Sequence, residues 1–468
     1  MKTRKSVLTI TLSLLVSSIL FPPVLPAEPR DLLEIFRLAV ERDPLLRGSR
    51  DRLRASEELR PQARALFLPE LNLEGGVGYN WEEVEIGDFN RRRDFREWDA
   101  GLALTQPLFR MESFSLRRQA DIFVDQASLR LATTKQQLLL RTSDAYFGIL
   151  LAQEQLRTVD AELAAIETEL RRARRALEVG TGTITDVNDA QARFDLVTAN
   201  RLRAVNDLTI ARETLRRLID EPPGELMALQ ENFEAQPPEP ADSAAWAERA
   251  ERFNLEVRLS EREFEQAREG VAQERAGRYP QVDLVARHGW TFQSEPGVTG
   301  TGVGTQPLEG ELETEQTSVG VRLTMPLYTG GGTSARIRER QAERDAVFTD
   351  TLDAKRTASL EAESAYLNLV SNLEQIRALE QAKMSIRSTE ASTRRGVEVG
   401  TRTTLDLLNV QRERFEIERQ LAEARYGYLF SYLQLQVAAG GGVDDTSVED
   451  VNFFLTHDPR GDNRNGNE

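Results

Sequence analysis

The chain has no cysteine and only two histidines, His288 and His457. The first absence removes disulfides, thiolate metal sites, cysteine catalysis and lipidation of a cysteine. The second leaves too few imidazoles for a histidine-built metal or catalytic centre. Base is outnumbered by acid, 60 residues to 76 in 468, for a formal charge of −16. Phosphate binding needs clustered basic charge, so no nucleic-acid partner is expected. After the first residues, no run approaches the ~18 uninterrupted apolar residues of a membrane-spanning helix. No nucleophile with its base, metal cluster or paired-carboxylate pocket can be assembled from spacing, so neither an enzyme nor a cofactor is expected. Gly330-Gly331-Gly332 lacks the Gly-Lys-Ser/Thr ending of a phosphate loop and reads as a strand-to-helix joint.

The start of the chain differs from the rest. Lys2, Arg4 and Lys5 precede an apolar run from Val7 to Phe21, and then comes Pro22-Pro23-Val24-Leu25-Pro26-Ala27. This is the pattern of a secretory signal peptide over residues 1–27, with the cut expected after Ala27. Its loss removes positive charge and leaves the mature chain more acidic.

The mature chain is one unit written twice. Glu178-Val179-Gly180-Thr181-Gly182-Thr183-Ile184-Thr185-Asp186 returns 220 residues later as Glu398-Val399-Gly400-Thr401-Arg402-Thr403-Thr404-Leu405-Asp406. Ala145-Tyr146 matches Ala365-Tyr366, and Thr105-Gln106-Pro107-Leu108-Phe109 matches Thr324-Met325-Pro326-Leu327-Tyr328. Leu68-Pro69 matches Tyr279-Pro280 at a spacing of 211. The repeats are placed at residues 28–220 and 246–440. A proline-rich, irregular linker is expected over 221–245, and a polar tail over 441–468, disordered beyond about Asp458.

Each repeat reads as helix, strand, loop, strand, very long helix, tight turn, long helix. Strands are expected at about 69–82, 96–107, 280–293 and 315–327. Leu71, Leu73, Val77, Tyr79 and Trp81 alternate with Asn72, Glu74 and Asn80; Val319, Val321 and Leu323 alternate with Ser318, Gly320 and Arg322. Period-two alternation over about ten residues fits a strand of an outer-membrane barrel. Glu82 to Phe95 and Ser294 to Thr314 read as polar surface loops. From Glu112 to Glu178 there is no proline, which predicts a helix roughly 100 Å long. Leu156, Val159, Leu163, Ile166, Leu170, Ala173 and Leu177 alternate in spacings of three and four, a left-handed coiled-coil seam. Four strands cannot close a barrel, and in hydrocarbon every strand edge must be paired. If the strands are in a membrane, the chain is an oligomer sharing one barrel, eight strands from two copies or twelve from three.

The doubled Val-Gly-Thr-x-Thr-x-x-Asp turn, together with the strand-ending Thr-Gln-Pro-Leu-Phe and Thr-Met-Pro-Leu-Tyr, resembles the TolC family of outer-membrane efflux proteins. The resemblance covers about Asp31 to Gly440. It implies a mainly α protein with membrane β: duplicated coiled-coil helices form a periplasmic tunnel, and four strands per chain join a shared trimeric twelve-stranded barrel. It implies a homotrimer in the outer membrane lipid, docked through a periplasmic adaptor to an inner-membrane pump, serving efflux or, alternatively, type I protein secretion. A trimeric coiled-coil adhesin would instead gather its strands at the C-terminus.

The turns, at about 178–187 and 398–407, are the expected working parts. Their local chemistry is that of a glycine helix stop followed by a capping box. The resemblance adds a gate and pore constriction. Arg402 matches a tip arginine that pairs with positions here held by Thr185 and Asp186, and Asp406 matches an acid of a lining ring. Two positions depart from the family. Val397 stands where a supporting tyrosine is expected, and Asn409 where a second ring acid is expected, with Asp189 the corresponding acid of the first repeat. Val179, Gly180, Thr181, Val399, Gly400 and Thr401 form the expected adaptor-docking tip; the alternative for Val179, Ile184, Val399 and Leu405 is packing within the chain. Acidic rings in a pore concentrate cations, so mild cation selectivity is expected.

Overall fold

The computed structural model describes residues 29–86, 89–230, 233–294, 297–301, 311–441 and 445–456. The expected signal peptide and the tail beyond Asp458 lie outside these residues. Each half opens on short capped helices rather than on one. In the first half, α1 (Leu32–Arg42) and α2 (Pro44–Glu57) start on Asp31 and Asp43, whose carboxylates accept backbone N–H bonds at 2.7 Å, and then comes α3 (Leu59–Ala65). Next come β1 (Glu70–Ile86), β2 (Phe89–Phe109), α4 (Met111–Glu178) and α5 (Ile184–Ile219). The short β3 (Ala228–Leu229) interrupts the linker. The second half repeats the plan with α6 (Ser243–Phe253), α7 (Leu255–Ala276), β4 (Gln281–Gln293), β5 (Gly297–Thr301), β6 (Leu312–Thr324), α8 (Gly332–Glu398) and α9 (Thr404–Ala438). α10 (Asp445–Asn452) and β7 (Leu455–Thr456) close the described chain.

The sheet is antiparallel in the order β1-β2-β4-β6. Its register stacks Leu73, Leu102, His288 and Thr317 across one face. That face is uncovered: Leu73 is 79% exposed, Val77 90% and Val319 71%. An apolar sheet face of this extent suits hydrocarbon rather than water. Among the described residues β1 and β6 are open edges. None of the described helices is long and apolar enough to cross a membrane.

Two loop expectations are corrected. β1 and β2 pair without a break from Glu70↔Thr105 to Ile86↔Phe89, so the described residues of Glu82 to Phe95 are strand. Polar side chains do not prevent pairing, because the ladder is made by backbone groups once the register is set. Within Ser294 to Thr314, β5 pairs with Asn90 to Asp94 of β2, and β6 already begins at Leu312.

α4 packs along α5, and α8 along α9, as two long hairpins. On the α4 seam Val159, Ile166, Leu170 and Ala173 are buried against Ala190 and Val197, whereas Leu177, beside the turn, is 38% exposed. The largest core lies midway along the helices. There Tyr146, Leu215, Trp246 and Leu433 pack with Leu32 and Phe36 of α1. The tail belongs to this core: Val448, Val451 and Leu455 are buried in it, and β7 pairs with β3 of the linker. Neither linker nor tail is therefore wholly irregular. α7 packs between α4 and α8 through side-chain bonds such as Arg118–Glu269 and Ser260–Thr351.

Candidate functional site at the hairpin tips

The two tips are built by the same bonds. In the first, Val179, Gly180 and Thr181 donate their N–H groups to the carbonyls of Arg175, Leu177 and Ala176 at 2.9–3.1 Å. In the second, Val399, Gly400 and Thr401 donate to Arg395, Val397 and Gly396 at 2.8–3.1 Å. Gly180 and Gly400 both have φ of 77°, the left-handed conformation that side chains disfavour. The chain then enters the second helix through a capping box. Thr183 N–H donates to Asp186 Oδ2 at 3.0 Å and Asp186 N–H to Thr183 Oγ1 at 3.2 Å. Thr403 and Asp406 repeat this at 3.0 and 3.1 Å. The Asp406 carboxyl is held below the usual carboxylate range, chiefly by the Thr403 backbone N–H, then by its hydroxyl and by the Arg402 charge.

The tips leave their functional candidates uncovered. Val179 is 74% exposed and Val399 73%; Ile184 and Leu405 are exposed as well, so packing within one chain does not bury them. Thr181, Thr185, Thr401 and Arg402 are exposed, while Asp186, Asp189 and Asp406 are half-buried at the helix starts. Within one chain Asp186 is committed to its capping box, and among the described residues none forms an ion pair with Arg402. Asn409 is exposed, and Val397 gives only its backbone carbonyl to the turn. Among the described residues no group of acids and histidines is arranged to hold a metal.

Sequence reasoning missed two residues. Gly396 underlies Arg402: a Cβ built there would lie 2.7 Å from Arg402 Cγ. Its counterpart is Ala176, and the counterpart of Arg402 is Gly182, where a Cβ would lie 2.9 Å from the Ala176 Cβ. The bulky member has changed sides between repeats, a swap visible on aligning them. The second is Glu162, buried on α4, with Arg193 of α5 at 3.2 Å and Arg419 of α9 at 4.0 Å. Burial pushes its carboxyl up, against the two guanidiniums. Its spacing, three from Val159 and four from Ile166, sets it beside the α4 seam, but its charge reads as a solvated flank.

An uncovered apolar sheet at one end and two matched helical tips at the other define an outer-membrane channel carried on a long helical tunnel. The chain matches the family described as outer membrane efflux protein over residues 35–221 and 246–441. It is 32% identical to the outer membrane protein TolC of Vibrio cholerae over 425 residues, 91% of this chain and 94% of that protein. It is 32% identical over 439 residues to the alkaline protease secretion protein AprF of Pseudomonas aeruginosa, 92% of this chain and 88% of that one. Among solved structures, the outer-membrane channel OprN has a TM-score of 0.74 at 20% identity, covering 88% of this chain and 90% of OprN. The chain belongs to the outer membrane efflux protein family. Its fold class is that of the TolC-type channels, mainly α with membrane β, each chain carrying the strands β1, β2, β4 and β6 on two long helical hairpins. It is an exit duct for efflux or secretion in the outer membrane, with a periplasmic helical tunnel.

Proposed function

We propose that three copies share one twelve-stranded barrel and that their hairpin tips form a gated entrance, docked to a periplasmic adaptor and inner-membrane pump. The carrying observation is the four-stranded sheet with an exposed apolar face and two open edges. Such edges are stable in lipid only when paired with further strands. The duct is a conduit without catalysis, and the energy comes from the pump. At the tips, Arg402 of one hairpin reaches Thr185 and Asp186 of a neighbouring copy and holds the entrance closed. Asp406 and Asp189 line it and favour cations. The exposed Val179-Gly180-Thr181 and Val399-Gly400-Thr401 turns meet the adaptor.

The test is single-channel conductance of the mature protein in a planar bilayer, before and after Arg402→Ala. Small cation-selective steps that enlarge in the variant support the gate. Unchanged steps keep the duct and remove the gate. No insertion from folded protein removes the shared barrel. A second reading, export of whole proteins, is favoured by two relatives named for protease secretion, at 32% and 26% identity. Loss of secreted protein rather than of small-molecule tolerance in a deletion strain would select it.

A further inference from the structure

The halves obey a fixed register. α1 and α2 begin on Asp31 and Asp43, and α6 and α7 begin on Asp242 and Asn254, each 211 residues further on. α4 and α8 end at Glu178 and Glu398, 220 residues apart. Packing obeys the same register. Phe67 meets Phe114 with ring centroids 5.1 Å apart, and the equivalent pair, Arg278 and Ser334, is hydrogen-bonded at 3.0 Å.

One contact has no counterpart among the described residues of the chain. α7 touches α8 of its own half and α4 of the other half, whereas α2 and α3 rest on their own α4 and expose the opposite flank. The α4–α7 seam is polar, with Arg118–Glu269 at 2.9 Å, Arg130–Glu263 at 3.2 Å, and Gln119–Gln273 and Gln126–Gln266 at 2.9 Å. Carrying these pairs through the register sets Arg338 of α8 against Glu58, Asp350 against Arg52, Glu339 against Gln62 and Ala346 against Ala55. Both charged places stay complementary. At Asp350 and Arg52 the signs are exchanged relative to Arg130 and Glu263, which keeps attraction only because both members changed. Arg52, Glu58, Arg338 and Asp350 are exposed, and their side chains have no ion pair among the described residues. The seam below is apolar in part. Phe147 of α4 has ring centroids 6.2 Å from Tyr426 of α9, and the register carries this pair to Leu367 of α8, 56% exposed, and to the polar Asn206 of α5, with Leu202 and Ile210 exposed one turn to either side.

We propose that the exposed flank of α2 and α3 receives α8 of a second copy of this chain, through Arg338 against Glu58 and Asp350 against Arg52. This rests on the shared-barrel reading and assigns the helical contact that accompanies it. The contact joins unlike surfaces head to tail, the kind of interface that a closed ring of copies requires.

The cysteine-free chain allows a direct test. Glu58→Cys and Arg338→Cys are placed on separately tagged, co-expressed full-length chains and treated with a short bis-maleimide. The expected product is a species carrying both tags, absent when either variant is expressed alone. An oligomer by native mass without this product overturns the contact and leaves the shared duct. A monomer by native mass overturns the shared duct itself. As an orthogonal check, Asp350→Arg lowers the oligomer fraction surviving dilution several-fold, and adding Arg52→Asp restores it. Equal behaviour of the single and double variants overturns the pair.

Discussion

At the tip, Arg402 stands over Gly396, and this contact separates local fold from gating. Gly396→Ala places a methyl where the Arg402 stem lies, since the nearest atom to it is Arg402 Cγ at 2.7 Å. Alanine is otherwise favoured over glycine within a helix by roughly 0.5–1 kcal/mol. Helix stability at this end should therefore hold or rise while channel steps enlarge part of the way towards those of Arg402→Ala. Enlarged steps with a melted tip, read by amide exchange at residues 397–404, would instead mean simple unfolding. Glu162 carries a second prediction, of opposite sign to most carboxylates. Burial raises its folded pKa above the ordinary glutamate value of 4.5. Its ionised form is thus a net cost in the fold, and the stability gained by protonation is full below 4.5 and lost as pH rises through the raised value. Glu162→Gln mimics the protonated form. It should raise the melting temperature at pH 7 by up to about 1 °C, the scale of a sub-kcal/mol effect in a chain this long, and the gap should close as the solution is acidified towards the ordinary glutamate range. A variant less stable than wild type at pH 7 would show that the ion pairs with Arg193 and Arg419 outweigh desolvation.

Among the elements, the tail is the one whose role composition conceals. Val448 and Val451 are almost fully buried, Leu455 is 6% exposed, and Phe454 meets Phe233 with ring centroids 5.2 Å apart. Burial of such a side chain contributes about 1.5–3 kcal/mol. Truncation after Gly441 should therefore expose the linker around Phe233 and β3 to protease, while the long hairpins stay protected. Equal digestion patterns with and without the tail would make it a passive appendage. The long hairpins were legible in the sequence, because a proline-free run with Leu156, Val159, Leu163 and Ile166 in heptad spacing has one reading. The strands were legible by alternation and the tips by their duplicated Gly and Thr-x-x-Asp. Strand length was not legible above Glu82, where pairing persists through polar residues that also suit loops. The tail was not legible because its three apolar anchors find partners more than two hundred residues away, in the linker and α1. Glu162 and Gly396 were hidden for a related reason, since burial and steric contact arise only once helices or turns are brought together.

For the whole molecule, the two kinds of seam between hairpins are unequal, and this bears on how a tunnel of three chains would open. Inside one chain, α4 and α9 are joined by Gln155 donating to Glu423 at 3.1 Å, by Phe147 against Tyr426, and by Glu162 facing Arg419 at 4.0 Å. Carried by the 220-residue register to the seam between copies, Glu162 becomes Ala382 and Arg419 becomes Ala199. The seam between copies therefore lacks the buried charged node and keeps small residues that can slide. If the entrance opens when Arg402 is removed, hairpins of different copies should separate, while the two hairpins of one chain move together. Bis-maleimide linkage of Ala199→Cys to Ala382→Cys across copies, in the Arg402→Ala background, should return conductance to the small steps of the closed entrance. Linkage of Gln155→Cys to Glu423→Cys within a chain should leave the enlarged steps unchanged. The reverse pattern would put the moving joint inside the chain, and Glu162 would then be a hinge partner rather than part of a fixed seam.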